Sequence, residues 1–351
     1  MHATMATLPA PGRILVIRLD RIGDLVLSTS VFSALRKHFP KAFIAALAPA
    51  ACRDLVENHP DLDTAILYDK AGVHASSLAT FFFARALGRY RFDAALALHP
   101  SNRSHWIPYL AGIPVRVGYD RKMPGLLTHR LHHDKQQGRM HEARYALRML
   151  RVFGIDESNP APVIPIQPAA AQRIEALSAQ WPDPARAPWV AIHASASCPS
   201  KRWMPERFAQ VADKLIETCC ANILLIAGTG DAAYASGVES AMKGKPVNLA
   251  GKLDIGQTAA LLSRCRLLVS NDSGPVHLAA AVGTPVVDIF GRNQAGLSPE
   301  RWGPLGRGHT ILHKEVGCPQ CLAHRCRINF LCLQAITTEE VLQAARSILI
   351  K

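Results

Sequence analysis

The stretch Ser270 to Gly291, SNDSGPVHLAAAVGTPVVDIFG, places a buried strand, a short polar turn and a proline-opened helix in direct succession, a pattern that belongs to parallel α/β sheets. Leu267-Leu268-Val269, just upstream, has the bulk of a parallel-sheet strand, and Pro275 to Val282 reads as the helix. Between them lie Asn271, Asp272, Ser273 and Gly274. A small hydroxyl residue followed by glycine at a helix start lets backbone N–H groups approach an anion, and the helix dipole favours negative charge there. The ligand expected at this turn is a phosphate or diphosphate.

A second strand–loop–helix unit opens the chain. Ile14 to Ile17 is a strand, Arg18 to Gly23 a turn, and Asp24 to Phe39 a helix with apolar residues at Leu25, Leu27, Val31, Phe32 and Leu35, closed by Pro40. Phe43 to Leu47, Ala65 to Leu67 and Phe92 to Leu98 read as further strands, and a doubly wound parallel sheet follows. Proline-rich Asn159 to Pro168 reads as an interdomain connection, with a helix after it over Ala169 to Ala179. A second β/α series runs through Trp189 to His193, Ile223 to Ala227, Leu267 to Val269 and Val286 to Phe290. With 351 residues, 49% of them apolar, the chain suits two domains, 1–165 and 166–351. No internal repeat is evident.

No stretch reaches the roughly 18 uninterrupted apolar residues of a membrane helix. MHATMATLPAPGR lacks a signal-peptide layout, which leads us to expect a cytoplasmic protein. The net charge of +13 calls for an anionic partner. Between His99 and Arg151 ten Lys/Arg face three Asp/Glu, accompanied by six histidines. No helix-turn-helix signature, zinc-finger spacing or aromatic-interleaved basic strand accompanies them, so no nucleic acid is expected. A phosphorylated, carboxylate-bearing lipid headgroup at the inner membrane face fits the patch. Cys318, Cys321, Cys326 and Cys332 cluster in CPQCLAHRCRINFLC, as a zinc or iron–sulfur site or, more simply, as buried thiols of a C-terminal loop. Asp61-Leu62-Asp63 spells an acidic triplet of the kind that can hold a divalent cation, but it lies far from every phosphate motif, and no metal or other cofactor is expected.

Three blocks in order, ILVIRLDRIGDLVLSTSVFSALRKHFP (Ile14 to Pro40), IHASASCPSKRWMPERFAQVADKL (Ile192 to Leu215) and Ser270 to Gly291, resemble the bacterial lipopolysaccharide heptosyltransferases of glycosyltransferase family 9. The similarity runs from Arg13 to the C-terminal helix. It implies a GT-B fold, with two Rossmann-like doubly wound domains facing across a cleft, the first binding the acceptor and the second the nucleotide sugar. The implied reaction moves heptose from ADP-heptose to a lipopolysaccharide core of the Kdo-lipid A type, with inversion, by an enzyme peripheral at the cytoplasmic face of the inner membrane.

Sugar transfer needs a base for the acceptor hydroxyl and charge stabilisation for the departing diphosphate. Asp24, in RIGD, stands where the first strand gives way to its helix; the resemblance makes it the base, and its place alone would make it an N-cap. Lys201 of SKRW offers a compact positive charge for the phosphates, whereas Arg202 beside it suits a structural pairing. Ser195 and Ser197 can donate hydroxyls to the same phosphates, although Ala194-Ser195 replaces the proline-glycine frequent in the family. Ser273, Gly274 and His277 are expected at the diphosphate, and Asp272 at a sugar hydroxyl or as a helix cap. Gly228, Gly230 and Asp231 either border the nucleoside or form a plain turn. Arg103, Arg121, Lys122, Arg130, Lys135 and His141 are acceptor-side candidates, of which Arg121 and His141 align best. Rival readings are a relative using another nucleotide sugar or glycan, a Rossmann oxidoreductase, disfavoured because RLDRIGD replaces G-x-G-x-x-G, and a nucleic-acid-binding protein.

Overall fold

In a computed structural model, which describes residues 8–318, 321 and 324–350, the chain divides into two compact units between Pro165 and Ile166. Residues 1–7, four positions within the cysteine-rich stretch and Lys351 lie outside the described residues.

The first unit contains strands β1 (Arg13–Ile17), β2 (Phe43–Pro49), β3 (Thr64–Tyr68), β4 (Ala94–Ala97), β5 (Val115–Tyr119) and β6 (His129–Leu131). Its helices are α1 (Ile22–His38), α2 (Arg53–Val56), α3 (Ser77–Leu87), α4 (Asn102–Leu110) and α5 (Glu142–Leu147). The sheet order is β3-β2-β1-β4-β5-β6, and every pairing is parallel. Central strands of such a sheet are covered on both faces, which is why Ile14, Leu15, Val16 and Ile17 are buried in an unbroken run rather than alternately.

The second unit contains β7 (Trp189–His193), β8 (Asn222–Leu225), β9 (Val247–Asn248), β10 (Leu267–Asn271), β11 (Val286–Phe290) and β12 (Thr310–His313). Its helices are α6 (Pro168–Ser178), α7 (Pro205–Cys219), α8 (Ala232–Ala241), α9 (Ile255–Leu262), α10 (Gly274–Ala281), α11 (Pro299–Trp302), α12 (Leu331–Gln334) and α13 (Thr338–Leu349). Read from β9, its order β9-β8-β7-β10-β11-β12 repeats that of the first unit, again all parallel. Both units are therefore doubly wound and Rossmann-like, although no repeat shows in the sequence. In each, the strand order reverses next to the first strand, between β1 and β4 and between β7 and β10. There the connecting helices leave to opposite faces and open a crevice at the carboxyl ends of the strands.

The helix expected from Asp24 begins earlier, at Ile22, with Arg21 as N-cap, so Asp24 occupies the first turn and is not the cap. The strand expected to end at Val269 runs on to Asn271, because Ser270 and Asn271 still pair with Asp288 and Ile289 of β11. Gly291, just past β11, packs against the backbone carbonyl of Ser200 and 2.9 Å from the side chain of Leu333, measured to where a Cβ would stand. Gly291→Ala would push into the backbone beside Lys201 and is expected to cost about 1–3 kcal/mol of overpacking, read as a lower Tm in thermal unfolding.

Candidate functional site

In the first unit, charged side chains gather at the strand-order reversal around a buried guanidinium. Arg18 follows β1 and is 1% exposed. Its Nε donates to Asp20 at 2.6 Å and its Nη2 to Asp24 Oδ1 at 2.5 Å, while both terminal nitrogens reach Glu142 at 3.2 Å. Glu142 begins α5 and also takes the Lys135 ammonium at 2.6 Å. Buried charges persist only when paired, and here two cations serve three carboxylates. The imbalance falls on Asp24: burial, helped by the carboxylates of Asp20 and Glu142, outweighs Arg18 and lifts its acid to about 6. Asp24 thus combines a fixed orientation with a proton affinity close to neutral pH, the two requirements of a general base.

The acceptor-side candidates divide. Arg121 and Lys122 are exposed just beyond β5, and Arg130 is exposed on β6. Half-buried Arg103, at the start of α4, donates to the carbonyl of Ala75 at 2.8 Å. His141 caps α5, its ring accepting from the Ala143 N–H at 3.2 Å. Lys135 departs from the expectation of a surface contact. It is 2% exposed, bound to Glu142, donating to the Leu98 carbonyl at 3.3 Å and lying 4.7 Å over the Tyr119 ring, so it balances buried charge instead. Asp61 and Asp63 are also committed internally, to Ser33 at 2.5 Å and to Arg36 and the Ile44 N–H at 2.7 Å.

In the second unit the corresponding crevice is organised by Asn271, the last residue of β10. Fully buried, it donates to the Ala194 carbonyl at 2.7 Å and accepts from the Trp203 N–H at 3.0 Å, bracketing the loop that carries Ser195, Ser197 and Lys201. Lys201 ion-pairs with Asp272 at 2.5 Å. Asp272 is thus the lysine's counterion and not a helix cap; Ser273 holds the N-cap position of α10, and Gly274 begins the helix. Asp288 of β11 is buried with no hydrogen-bond partner among the described residues, and burial plus the nearby Asp272 carboxylate push its acid well above the usual range. Arg202 donates to the Ala196 carbonyl at 2.8 Å and stacks 4.6 Å over Tyr234.

His193, at the end of β7, joins the serines. Its Nε2 lies 3.0 Å from Ser195 Oγ, which donates to Asp231 at 3.0 Å, and its Nδ1 lies 3.0 Å from Ser273 Oγ. Burial lowers the imidazole to about 4 and keeps it neutral. A carboxylate only accepts, so the Ser195 proton goes to Asp231. Nε2 must then carry the ring proton, and Nδ1 accepts from Ser273. Ser197, Gly228 and Gly230 are exposed on the loops beyond β7 and β8, and His277 is 5% exposed within α10.

Four participants escape sequence reading: Arg18, Glu142, His193 and Asp288. Arg18 and Glu142 are 124 residues apart, and no spacing joins them. The only trace is a polar residue closing or interrupting an apolar strand, as in WVAIH and VVDIF. The four cysteines are free, Cys318 exposed and the others half-buried, which makes them less enclosed than the buried-thiol reading expects. They border a cavity of about 500 Å³ with Arg292 and Lys314, and no cluster of three or more His, Cys, Asp or Glu among the described residues is arranged to hold a metal.

Removing the Lys201 cation, which opposes the upward shift of Asp288, raises that acid further. Lys201→Ala should therefore lose stability most at alkaline pH, where burying an ionised Asp288 is costly, and regain part of it as the pH falls and Asp288 protonates. The check is Tm against pH; a deficit independent of pH would count against this electrostatic role.

The sequence pattern of glycosyltransferase family 9 (heptosyltransferase) matches residues 80–331. The chain is 28% identical over 312 residues to lipooligosaccharide heptosyltransferase 2 of Haemophilus ducreyi, covering 86% of this chain and 88% of that protein. It is likewise 28% identical over 314 residues to lipopolysaccharide heptosyltransferase 2 of Escherichia coli strain K12, covering 87% and 89%. The solved structure of E. coli ADP-heptose lps heptosyltransferase II superposes with a TM-score of 0.79 at 25% identity over 96% of this chain and 98% of that one. Two doubly wound units in series are the domain composition of the GT-B class, and with the family match they establish that the chain belongs to glycosyltransferase family 9, the heptosyltransferases, and is a sugar-transferring enzyme.

Proposed function

We propose that this enzyme transfers L-glycero-D-manno-heptose from ADP-heptose to the inner core of lipopolysaccharide, with inversion at the anomeric carbon. The observation that carries the reading is the chemical contrast between the two crevices. One holds an aspartate whose acid is lifted to about 6; the other holds a lysine, serine hydroxyls and the start of α10. The first unit is assigned the acceptor and the second the nucleotide sugar. Asp24 Oδ2 takes the proton of the acceptor hydroxyl while the oxygen attacks the anomeric carbon from the face opposite ADP. A carbon–oxygen bond to the acceptor forms, the bond to the diphosphate breaks, and the electron pair leaves with ADP.

Arg18 holds the other oxygen of Asp24 and keeps the carboxylate aimed. On the donor side, Lys201, held by Asp272, turns its remaining N–H donors to the diphosphate, which also receives backbone N–H groups from Ser273 and Gly274. Ser197 and His277 belong to the same diphosphate side, and Gly228 and Asp231 to the nucleoside side. Arg103, Arg121, Lys122, Arg130 and His141 are assigned to the anionic core glycan. Among the described residues no helix is long and apolar enough to cross a membrane. For a lipid-anchored acceptor, the assigned place is the cytoplasm, peripheral at the inner membrane face.

Calorimetric titration with ADP-heptose, ADP, UDP-glucose and NAD tests the donor, and preference for either of the last two would overturn the assignment. Asp24→Asn should lower kcat by about 10²–10⁴-fold while leaving ADP affinity nearly unchanged. Because the base works only when deprotonated, kcat/KM should rise with pH through an acid limb near 6. Glu142→Gln, which removes one of the charges that lift Asp24, should shift that limb to lower pH. Ser273 can donate to a diphosphate only by releasing His193 Nδ1, so ADP should move the ring proton from Nε2 to Nδ1. Exchange of the two ring ¹⁵N shifts on adding ADP would register this, and unchanged shifts would exclude it.

A further inference from the structure

Helix α3 is apolar on two sides. Thr80, Ala84 and Leu87 face the interior, whereas Leu78, Phe81 and Phe82 are 65%, 41% and 63% exposed, and Val73 in the preceding loop is 75% exposed. Leu78, Phe81, Phe82 and Arg85 stand at i, i+3, i+4 and i+7, so they share one face, and Arg89 continues it one turn further. A surface helix with a second apolar stripe is a contact surface in need of an occupant. The segment is held firmly: Ser76 caps α3 by accepting from the Ala79 N–H, His74 stacks on Tyr68 with ring centroids 4.9 Å apart, and Arg103 holds the Ala75 carbonyl.

Charge selects the occupant. From Asp69 to Tyr119 the chain carries Lys70, Arg85, Arg89, Arg91, Arg103 and Arg116 against two acids, Asp69 and Asp93. Both carboxylates are already occupied by backbone N–H groups, Asp69 by those of Ala71 and Gly72 at 3.2 and 2.8 Å, and Asp93 by those of Gly12 and Arg13, each at 2.8 Å. A second copy of the chain docking through this face would bring like charges together. An apolar stripe rimmed by arginines instead matches the boundary between acyl chains and phosphates of an anionic bilayer. We infer that α3 and the loop before it dock the first unit onto an anionic lipid surface, with Val73, Leu78, Phe81 and Phe82 entering the acyl boundary and Arg85 and Arg89 pairing with lipid phosphates.

Position supports this and ties it to the proposed transfer onto a lipid-anchored acceptor, on which the functional part of the inference rests. The Val73 loop leaves the carboxyl end of β3, two strands from β1, whose own carboxyl end leads to Asp24. At about 4.8 Å between neighbouring strands, the loop and the base lie along one edge of one sheet. A bilayer against that edge presents a lipid-borne sugar on the side from which Asp24 is approached.

The test is co-sedimentation of the full chain with phosphatidylglycerol-rich vesicles and with pure phosphatidylcholine vesicles. Binding is expected to the former only and to fall with salt. Leu78→Ser with Phe82→Ser should weaken it about tenfold or more, while circular dichroism and Tm confirm folding. Arg85→Gln with Arg89→Gln should remove its salt dependence without removing an apolar residue, which keeps the inference testable should the first variant unfold. Wild-type binding by a folded Leu78/Phe82 variant would overturn the inference. So would a dimer in sedimentation velocity that this variant dissociates, in the absence of vesicle binding. Transfer to a lipid-free core acceptor should be unaffected by Leu78→Ser with Phe82→Ser; absence of transfer in the wild type on every acceptor would sink the heptosyl reading alone, since vesicle binding is read without turnover.

Discussion

All-parallel sheets leave polar chemistry very few places to exist. With helices on both faces, the central strands of each unit are buried along their length, and a charge anywhere inside them would have to be paired or neutralised. The carboxyl ends at the reversal of strand order are the exception, because there the crossovers separate and the turns are free to carry polar residues. Both charged clusters of this enzyme stand at such a point, one after β1 and β4 and the other after β7 and β10. The residues of these two clusters are therefore spread along the chain, while the clusters themselves occupy two small regions.

The clusters solve opposite electrostatic problems with similar parts. In the first, Arg18 and Lys135 under-compensate three carboxylates, and the uncompensated charge makes Asp24 basic enough to accept a proton near neutrality. In the second, Lys201 rests on Asp272 beside a buried Asp288 whose acid is pushed well above the usual range, so the lysine's charge is held without being left unpaired. His193 adds a neutral relay between two serine hydroxyls, possible because burial keeps the imidazole unprotonated.

Much of this was legible from local pattern. Apolar runs located β1, β7, β10 and β11, the proline at the head of α10 marked its start, and the Asp24, Lys201 and Ser273 neighbourhoods stood out as polar turns at strand ends. β5 and the edge strands β6, β9 and β12 did not stand out, because they are short, partly exposed and lack the continuous apolar signature of a central strand. Lys135 was misplaced for a related reason. A lysine among six histidines and nine other basic residues looks like surface, and only the packing of Tyr119 and Glu142 around it turns it into an interior counterion.

The sequence by itself determined the class of fold, the family and the turns where phosphate and proton chemistry can occur, because strand burial, helix initiation and anion-binding turns are encoded over a few neighbouring residues. The tertiary structure alone decided which charges meet. The approach of Arg18 to Glu142, of Asp272 to Lys201 and of His193 to Ser273 joins residues 71 to 124 positions apart in the chain. The proton affinities that follow depend on desolvation and on distances of a few ångströms, which arise only when separate strands and helices have packed.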